Sequence, residues 1–247
     1  MATLAPQPAS DVPATPRPAS ALTGIGSMAT RHVHAALAAQ FEAATDQRLV
    51  LEAVGGVDAA HRVASGEAFD LVLLAQDALV RLAAEGHVRP DSVTPLMRSQ
   101  SAVAVAEGAE APDISSLEAL KAALSAAPSV GHSTGPSGKA LRQRLAQWGL
   151  AEQLAERLVE APPGVPVAQL IAEGRVALGI QQLSELRGVP GVRIVGLLPP
   201  GAEIDTVFGG AVGARAKDPE AALAYLCFVR SSEAAPLLRE HGMEPIA

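Results

Sequence analysis

The stretch Ala68-Phe69-Asp70-Leu71-Val72-Leu73-Leu74-Ala75 sets five uninterrupted apolar residues behind an acidic one and ahead of Gln76-Asp77. A short apolar run with polar ends reads as a strand buried on both faces, the kind found in parallel sheets covered by helices. Upstream, Arg48 to Val54 (RLVLEAV) predicts a strand turned by Gly55-Gly56, and a helix over 57–65 joins the two. Further upstream, Val33, Leu37 and Phe41 recur at i, i+4, i+8 in a helix predicted from Ser27 to Thr45, after a short strand over 21–26. Downstream, a helix over 77–85 stops at Gly86. The order β-α-β-α-β-α predicts a parallel sheet with helices on its faces.

The rhythm changes at Pro90. Thr94 to Ala106 (TPLMRSQSAVAVA) is one long extended stretch, long enough to leave one sheet and enter another. A second α/β set follows, with helices over 116–126, 137–148, 151–158 and 165–173 and strands over 129–131, 159–161, 176–180 and 192–197. After Pro199-Pro200-Gly201, an extended stretch over 206–213 and helices over 219–229 and 232–240 return to the first set. The predicted organisation is a disordered leader (1–20), one lobe of 21–98 and 204–247, and a second lobe, 99–203, inserted into it. Crossing strands near 96–105 and 203–212 form the expected hinge.

A chain of 247 residues, 49% of them apolar, is large enough for two lobes with their own cores. Aromatic residues make up only 2%, which argues against stacking platforms, and a net charge of −7 without a basic run argues against nucleic acid as a partner. Cys227 is the single cysteine, so neither an intrachain disulfide nor a cysteine zinc cluster can form. His32 and His34 stand two apart on a predicted helix, point in different directions and read as surface residues. His61 and His87 have no partner spacing, so no metal and no cofactor is expected. No stretch reaches about 18 apolar residues, so no membrane span is expected. Residues 1–20 lack the basic start and apolar centre of a secretory signal. As written the chain reads as cytoplasmic; a leader missing upstream would make it periplasmic.

The stretch richest in chemistry is Ser129-Val130-Gly131-His132-Ser133-Thr134-Gly135-Pro136-Ser137-Gly138-Lys139-Ala140-Leu141. A short strand, a run of small and hydroxyl residues and a helix start near Ser137 form an anion cradle of bare N–H groups, hydroxyls and a helix N-terminus. The competing reading is an ordinary Gly/Pro loop with Ser137 as N-cap. Gly138-Lys139 is not a nucleotide phosphate loop: the motif's first glycine would fall at Ser133, and Ala140 after the lysine has no hydroxyl for magnesium. Gly24-Ile25-Gly26-Ser27-Met28-Ala29 matches G-x-G-x-x-A, with Glu52 near the end of the next strand. The short strand before it and the returning two-lobe order do not suit a dinucleotide.

The order of elements resembles the type II periplasmic binding protein fold, and within it the molybdate-binding protein family and its relatives. The resemblance rests on Gly26-Ser27-Met28 opening the first helix and Val54-Gly55-Gly56-Val57 opening the second. It rests also on Ala64 to Leu73, with Gly66 and Asp70 in G-x-x-x-D spacing before a buried strand, on Val165 to Ile180, and on the final Gly242-Met243-Glu244-Pro245. It covers nearly the whole chain after residue 20. It implies an α/β fold of two lobes, mainly parallel sheets flanked by helices, with the ligand cleft between lobes. A small anion, carboxylate or oxyanion, would be held there and, in an exported receptor, delivered to an ABC permease. The contacts implied are Ser27, Met28, Arg31, Gly55, Gly56, Val57, Ser133, Thr134, Gly135, Ser137, Gly138, Val165, Gln181 and Gln182.

Two departures bear on the ligand. Gly55-Gly56-Val57 replaces the serine-rich turn of true molybdate binders, and Gln181-Gln182 stand where a tyrosine generally follows the strand. Amide donors and acceptors suit a carboxylate or larger polar organic anion better than a tetrahedral metal oxyanion. Relatives of the family include aconitate isomerase, which shifts a double bond in a tricarboxylate by allylic proton transfer. Such chemistry needs a base beside an acidified C–H and donors for the carboxylates. For this alternative reading, an isomerase, the candidate catalytic bases are His132, Glu185 and Asp58, with Arg31 as a carboxylate clamp. A ligand sensor acting through a partner protein would use the same cleft.

Overall fold

The computed structural model describes residues 21–246, so the leader expected over 1–20 lies outside the described residues. The first set of elements is β1 (Leu22–Ser27), a 3-10 turn (Met28–Thr30), α1 (Arg31–Thr45), β2 (Leu49–Val54), α2 (Gly56–Ala64), β3 (Leu71–Ala75) and α3 (Gln76–Ala84). The long strand β4 (Thr94–Ala106) leads to α4 (Leu117–Ala126), β5 (Val130–His132), α5 (Pro136–Gln147), α6 (Ala151–Leu154), β6 (Leu158–Glu160) and α7 (Val167–Ala172). Next come β7 (Leu178–Gln182), α8 (Leu183–Leu186) and β8 (Val192–Leu197). The chain returns through β9 (Asp205–Val212), α9 (Pro219–Val229), α10 (Ala235–Glu240) and β10 (Met243–Pro245).

The strands join in the order β2-β1-β3-β9-β4-β7-β5-β6, with β8 and β10 also paired to β4. β1 runs parallel to β2 and β3, and β5 runs parallel to β6 and β7. β4 joins the two parallel groups. Its residues 94–100 pair antiparallel with β9, and residues 101–105 pair antiparallel with β7.

β3 is buried along its whole length because both faces are covered. Leu71 and Leu73 pack with Leu22, Leu37, Phe41 and Tyr225; Val72 and Leu74 pack with Ile25, Val63 and Leu79. Each such side chain contributes about 1.5–3 kcal/mol by leaving water. The second group has its own core of Leu120, Leu124, Val130, Leu141, Ile180 and Ile204.

Asp70 fastens three elements. Thr23 N and Oγ1 donate to its Oδ2 at 2.8 and 2.9 Å, and Lys217 N and Asp218 N donate to its Oδ1 at 2.6 and 3.4 Å. Burial alone pushes this carboxyl up; the four hydrogen bonds outweigh it and hold the group below the usual aspartate range. The G-x-x-x-D spacing therefore marks a latch between β1, the approach to β3 and the start of α9. Asp70→Ala leaves several inward donors unpaired and is expected to destabilise the fold by about 2–4 kcal/mol in urea denaturation. A carboxylate with a depressed folded pKa contributes fully above its unfolded value of about 3.9 and loses that contribution as pH falls through the folded value. The gap between wild type and variant should therefore narrow below about pH 3.9; a gap that stays constant there would count against the latch.

Several boundaries differ from expectation. α7 begins after Pro166, since a residue before proline is disfavoured in a helix. β7 runs through Gln182, so both glutamines belong to the strand rather than following it. Residues 243–245 form a strand against 97–99 of β4. His34 is not at the surface: it is 3% exposed, its Nδ1 lies 2.9 Å from Tyr225 Oη, and burial pushes its ring down to about 3, so it stays neutral. Gly24 and Gly26 lie inside β1, and Glu52 pairs with Arg62 at 2.5 Å, so the dinucleotide spacing has a structural explanation.

Candidate functional site

A cavity of about 270 Å³ lies where the two groups of elements face each other. The 3-10 turn after β1 brings Ser27 and Met28, and the start of α2 brings Gly55, Gly56, Val57 and Asp58. The loop from β5 to α5 brings Ser133, Thr134, Gly135 and Ser137. Val165 comes from the loop before α7, Gln181 and Gln182 from the end of β7, and Glu185 from α8.

The helix starts at this cavity are left open by the sequence. Away from it, α4 is capped by Ser116 and α9 by Asp218, each accepting a backbone N–H. The N-caps of α2 and α5 are Gly55 and Gly135, which have no side-chain oxygen to offer. First-turn N–H groups have no partner within their own helix, so an anion in the cavity takes the place of the cap. Ser27 Oγ already accepts from Ala29 N at 3.3 Å, and Ser133 Oγ lies 3.3 Å from Ser137 Oγ. These hydroxyls are pre-positioned and their protons remain adjustable.

A Cβ added to Gly55 would stand 2.9 Å from Asp58 Oδ2, so glycine at 55 leaves room for that carboxylate at the start of α2. Ser184 Oγ donates to Ala29 O at 2.8 Å and holds α8 against the 3-10 turn.

The floor is polar and incompletely paired. Gln181 Oε1 accepts from Val167 N at 2.7 Å, which uses the open start of α7. Gln182 Nε2 donates to Thr206 Oγ1 at 2.8 Å, while its Oε1 is buried without a partner. Ser101 stands opposite Gln182 in the sheet and Ser99 opposite Thr206, and both serine hydroxyls are likewise unpaired. A buried amide oxygen without a donor costs about 1–3 kcal/mol, and a carboxylate ligand, which brings only acceptors, does not relieve it.

Asp58 and Glu185 are the ionisable side chains on the cavity wall. Burial pushes the Glu185 carboxyl up to about 7, although a hydrogen bond from Gln181 and the Arg31 charge pull it back. It is therefore poised to take or give a proton near neutrality. Among the described residues no lysine, arginine or histidine lines this cavity, so the groups it offers an anion are N–H groups, hydroxyls and amides.

Three expected contacts lie elsewhere. Arg31 lines a neighbouring groove and acts on the cavity only through its charge. His132 is buried behind the loop, with Nδ1 3.0 Å from Ser133 O. Gly138 packs under the loop: a Cβ there would stand 1.7 Å from Ser133 O. The cavity is also lined by Ala29, Pro136, Pro163 and Gly164, and by Pro162, which sequence reasoning did not single out. The Pro-Pro-Gly break after a short strand was the available signal. Among the described residues no three His, Cys, Asp or Glu side chains gather as a metal ion would require.

Open helix starts and hydroxyls converging from two α/β groups on one cleft define a two-lobe protein of the type II periplasmic-binding-protein fold, its cleft suited to an anion. The chain belongs to the bacterial extracellular solute-binding protein family, whose pattern matches residues 22–244. It is 36% identical over 235 residues to an aconitate isomerase from a Pseudomonas species, covering 93% of this chain and 90% of that one. Among solved structures it resembles the periplasmic molybdate-binding protein of Azotobacter vinelandii (TM-score 0.77, 18% identity, 92% of this chain and 100% of that one). It also resembles a sulfate-binding protein of Mycobacterium tuberculosis (TM-score 0.75, 19% identity, 92% and 87%). At those identities the structural likenesses speak for the fold alone.

Proposed function

We propose that the cleft takes a small unsaturated di- or tricarboxylate and that the protein is an isomerase that shifts its C=C bond. The observation that carries this reading is Glu185, a carboxyl held near pKa 7 on the wall of a cleft that also presents open helix starts and the Ser27, Ser133, Thr134 and Ser137 hydroxyls. The 36% identity to an aconitate isomerase supports it, whereas the molybdate and sulfate binders share only the fold.

The chemistry balances with one proton. The Glu185 carboxylate removes a proton from the carbon between the double bond and a carboxylate; the C–H electron pair spreads over the allylic system and onto the carboxylate oxygens. Open N–H groups at Gly56 and Val57, with the Thr134 and Ser27 hydroxyls, receive that charge. The proton then returns to the far allylic carbon, and the double bond has moved. A pKa near 7 suits both halves of the transfer.

The test is proton NMR in D₂O with cis- and trans-aconitate, and with molybdate as a binding control. Interconversion with deuterium entering the allylic position is the expected result. Stabilisation by tricarboxylate without exchange would replace the isomerase by a receptor serving an ABC permease. Stabilisation by molybdate alone would overturn the carboxylate reading.

A further inference from the structure

A second groove, of about 490 Å³, opens beside α8. Three elements supply its basic side chains: Arg31 and His32 from the first turn of α1, Arg187 from the end of α8, and His241 after α10. Glu240 is the one carboxylate on its wall. The chain has 26 acidic residues against 19 Lys and Arg, so this reversal of sign is local.

The basic groups are held but not neutralised. Neither arginine forms an ion pair among the described residues. Arg187 Nη1 donates to Glu240 O at 2.9 Å, which fixes its guanidinium across to α10. Arg31 Nε donates to His32 Nε2 at 2.9 Å, which leaves its terminal nitrogens for another partner. Burial, the Arg31 charge and the His241 charge all hold the His32 ring below the usual histidine range, a sign that these groups crowd one another.

We propose that this groove is a second anion site, which grips a multivalent oxyanion, as inorganic phosphate or a phosphate monoester, between Arg31 and Arg187. Guanidinium forks match such oxygens two at a time, and two forks from different elements fix a charge that one alone would not. The groove shares only Ala29 with the cleft. It also flanks the Ser184–Ala29 hydrogen bond that joins α8 to the 3-10 turn, so an anion bridging the arginines would brace the same seam. The claim does not depend on the cleft being an isomerase site.

Calorimetric titration of the full chain with inorganic phosphate and, separately, with glycerol 3-phosphate tests it. Saturable binding is expected, weakened at least about tenfold in Arg31→Met and in Arg187→Met and less severely in Arg187→Lys, which keeps the charge but not the fork. Binding of phosphate alone supports a free-anion site; binding of both supports one that also accepts an ester. Gln182→Leu, in the cleft, should leave these affinities unchanged. Absence of saturable binding overturns the proposal. So does binding that is lost in Gln182→Leu and kept in the arginine variants, since the anion would then sit in the cleft. Arg31 is exposed and bonds no backbone carbonyl, so Arg31→Met carries the test if Arg187→Met fails to fold.

Discussion

Glu185→Gln is expected to abolish isomerisation and, in the same protein, to raise stability above neutral pH. Loss of a positioned base lowers turnover by roughly 10²–10⁴-fold. Glutamine keeps the size and an acceptor for Gln181, so ligand binding should survive. The stability effect follows from the carboxyl pushed up from 4.5 to about 7. A carboxyl with a raised folded pKa contributes fully below its unfolded value and loses that contribution as pH rises through 7, because ionisation is then easier in the unfolded chain. The shift corresponds to at most about 3 kcal/mol once both states are ionised. Glutamine does not ionise, so the ligand-free variant should melt higher than wild type at pH 8 and nearly equal to it at pH 4.5. Wild-type kcat/KM should rise through pH 7 as the base deprotonates. The charged groups near Glu185 are Arg31, which favours ionisation, and Asp58 on the same cavity wall. Full activity in Glu185→Gln would remove Glu185 from the chemistry. A stability gap indifferent to pH would mean that its carboxyl is not held up.

Among the described residues the cavity wall carries carboxylates and no cationic side chain, which suits the proposed isomerase. With Arg or Lys inside, the Glu185 carboxyl would be drawn down to the ordinary range and would be too weak a base for a C–H proton. In the proposed isomerase, donors of partial charge at the starts of α2 and α5 would hold the substrate carboxylates without that penalty. Arg31, outside the cavity, moderates the carboxyl from a distance.

The fold was legible where period and punctuation agree. The apolar run 71–75 is a strand covered on both faces, and the stretch 94–106 is the one strand that serves both groups. The loops that line the cleft were legible because Gly, Ser and Thr precede helix starts at 56 and 136. What the sequence left hidden depends on long-range partners. His34 looks like a surface residue on a helix until Tyr225, far along the chain, is placed beside it. Residues 243–245 have no strand pattern of their own and become a strand only because β4 offers an edge. Arg31 lies within one turn of the cleft lining, yet it turns toward α10. His132, Glu185 and Asp58 were equal candidates on paper; the proposal rests on Glu185 because burial pushes its carboxyl up against the pull of Gln181 and Arg31.

Gly138→Ala is expected to disable the cleft although Gly138 does not line it. A Cβ at 138 would stand 1.7 Å from Ser133 O, 2.7 Å from Ser133 C and 3.0 Å from His132 Nδ1. The nearest obstacle is backbone, so no rotamer change relieves it. Either the first turn of α5 moves outward or the 132–134 segment moves into the cavity. Overpacking of a good core costs about 1–3 kcal/mol, and a clash with fixed backbone lies at or beyond the top of that range. The glycine thus serves close packing of the loop on its helix, and the ligand feels it only through Ser133, Thr134 and the open start of α5. Gly135→Ala is the matched control: its Cβ would meet only Ser133 Oγ, at 3.6 Å, and its backbone is extended. Urea denaturation should show a loss of about 3 kcal/mol or more for Gly138→Ala and under about 1 kcal/mol for Gly135→Ala. Tricarboxylate affinity should fall at least tenfold in the first variant. Equal stability of the two would mean that α5 shifts freely, and the rigid cradle assigned to residues 133–137 would have to be abandoned.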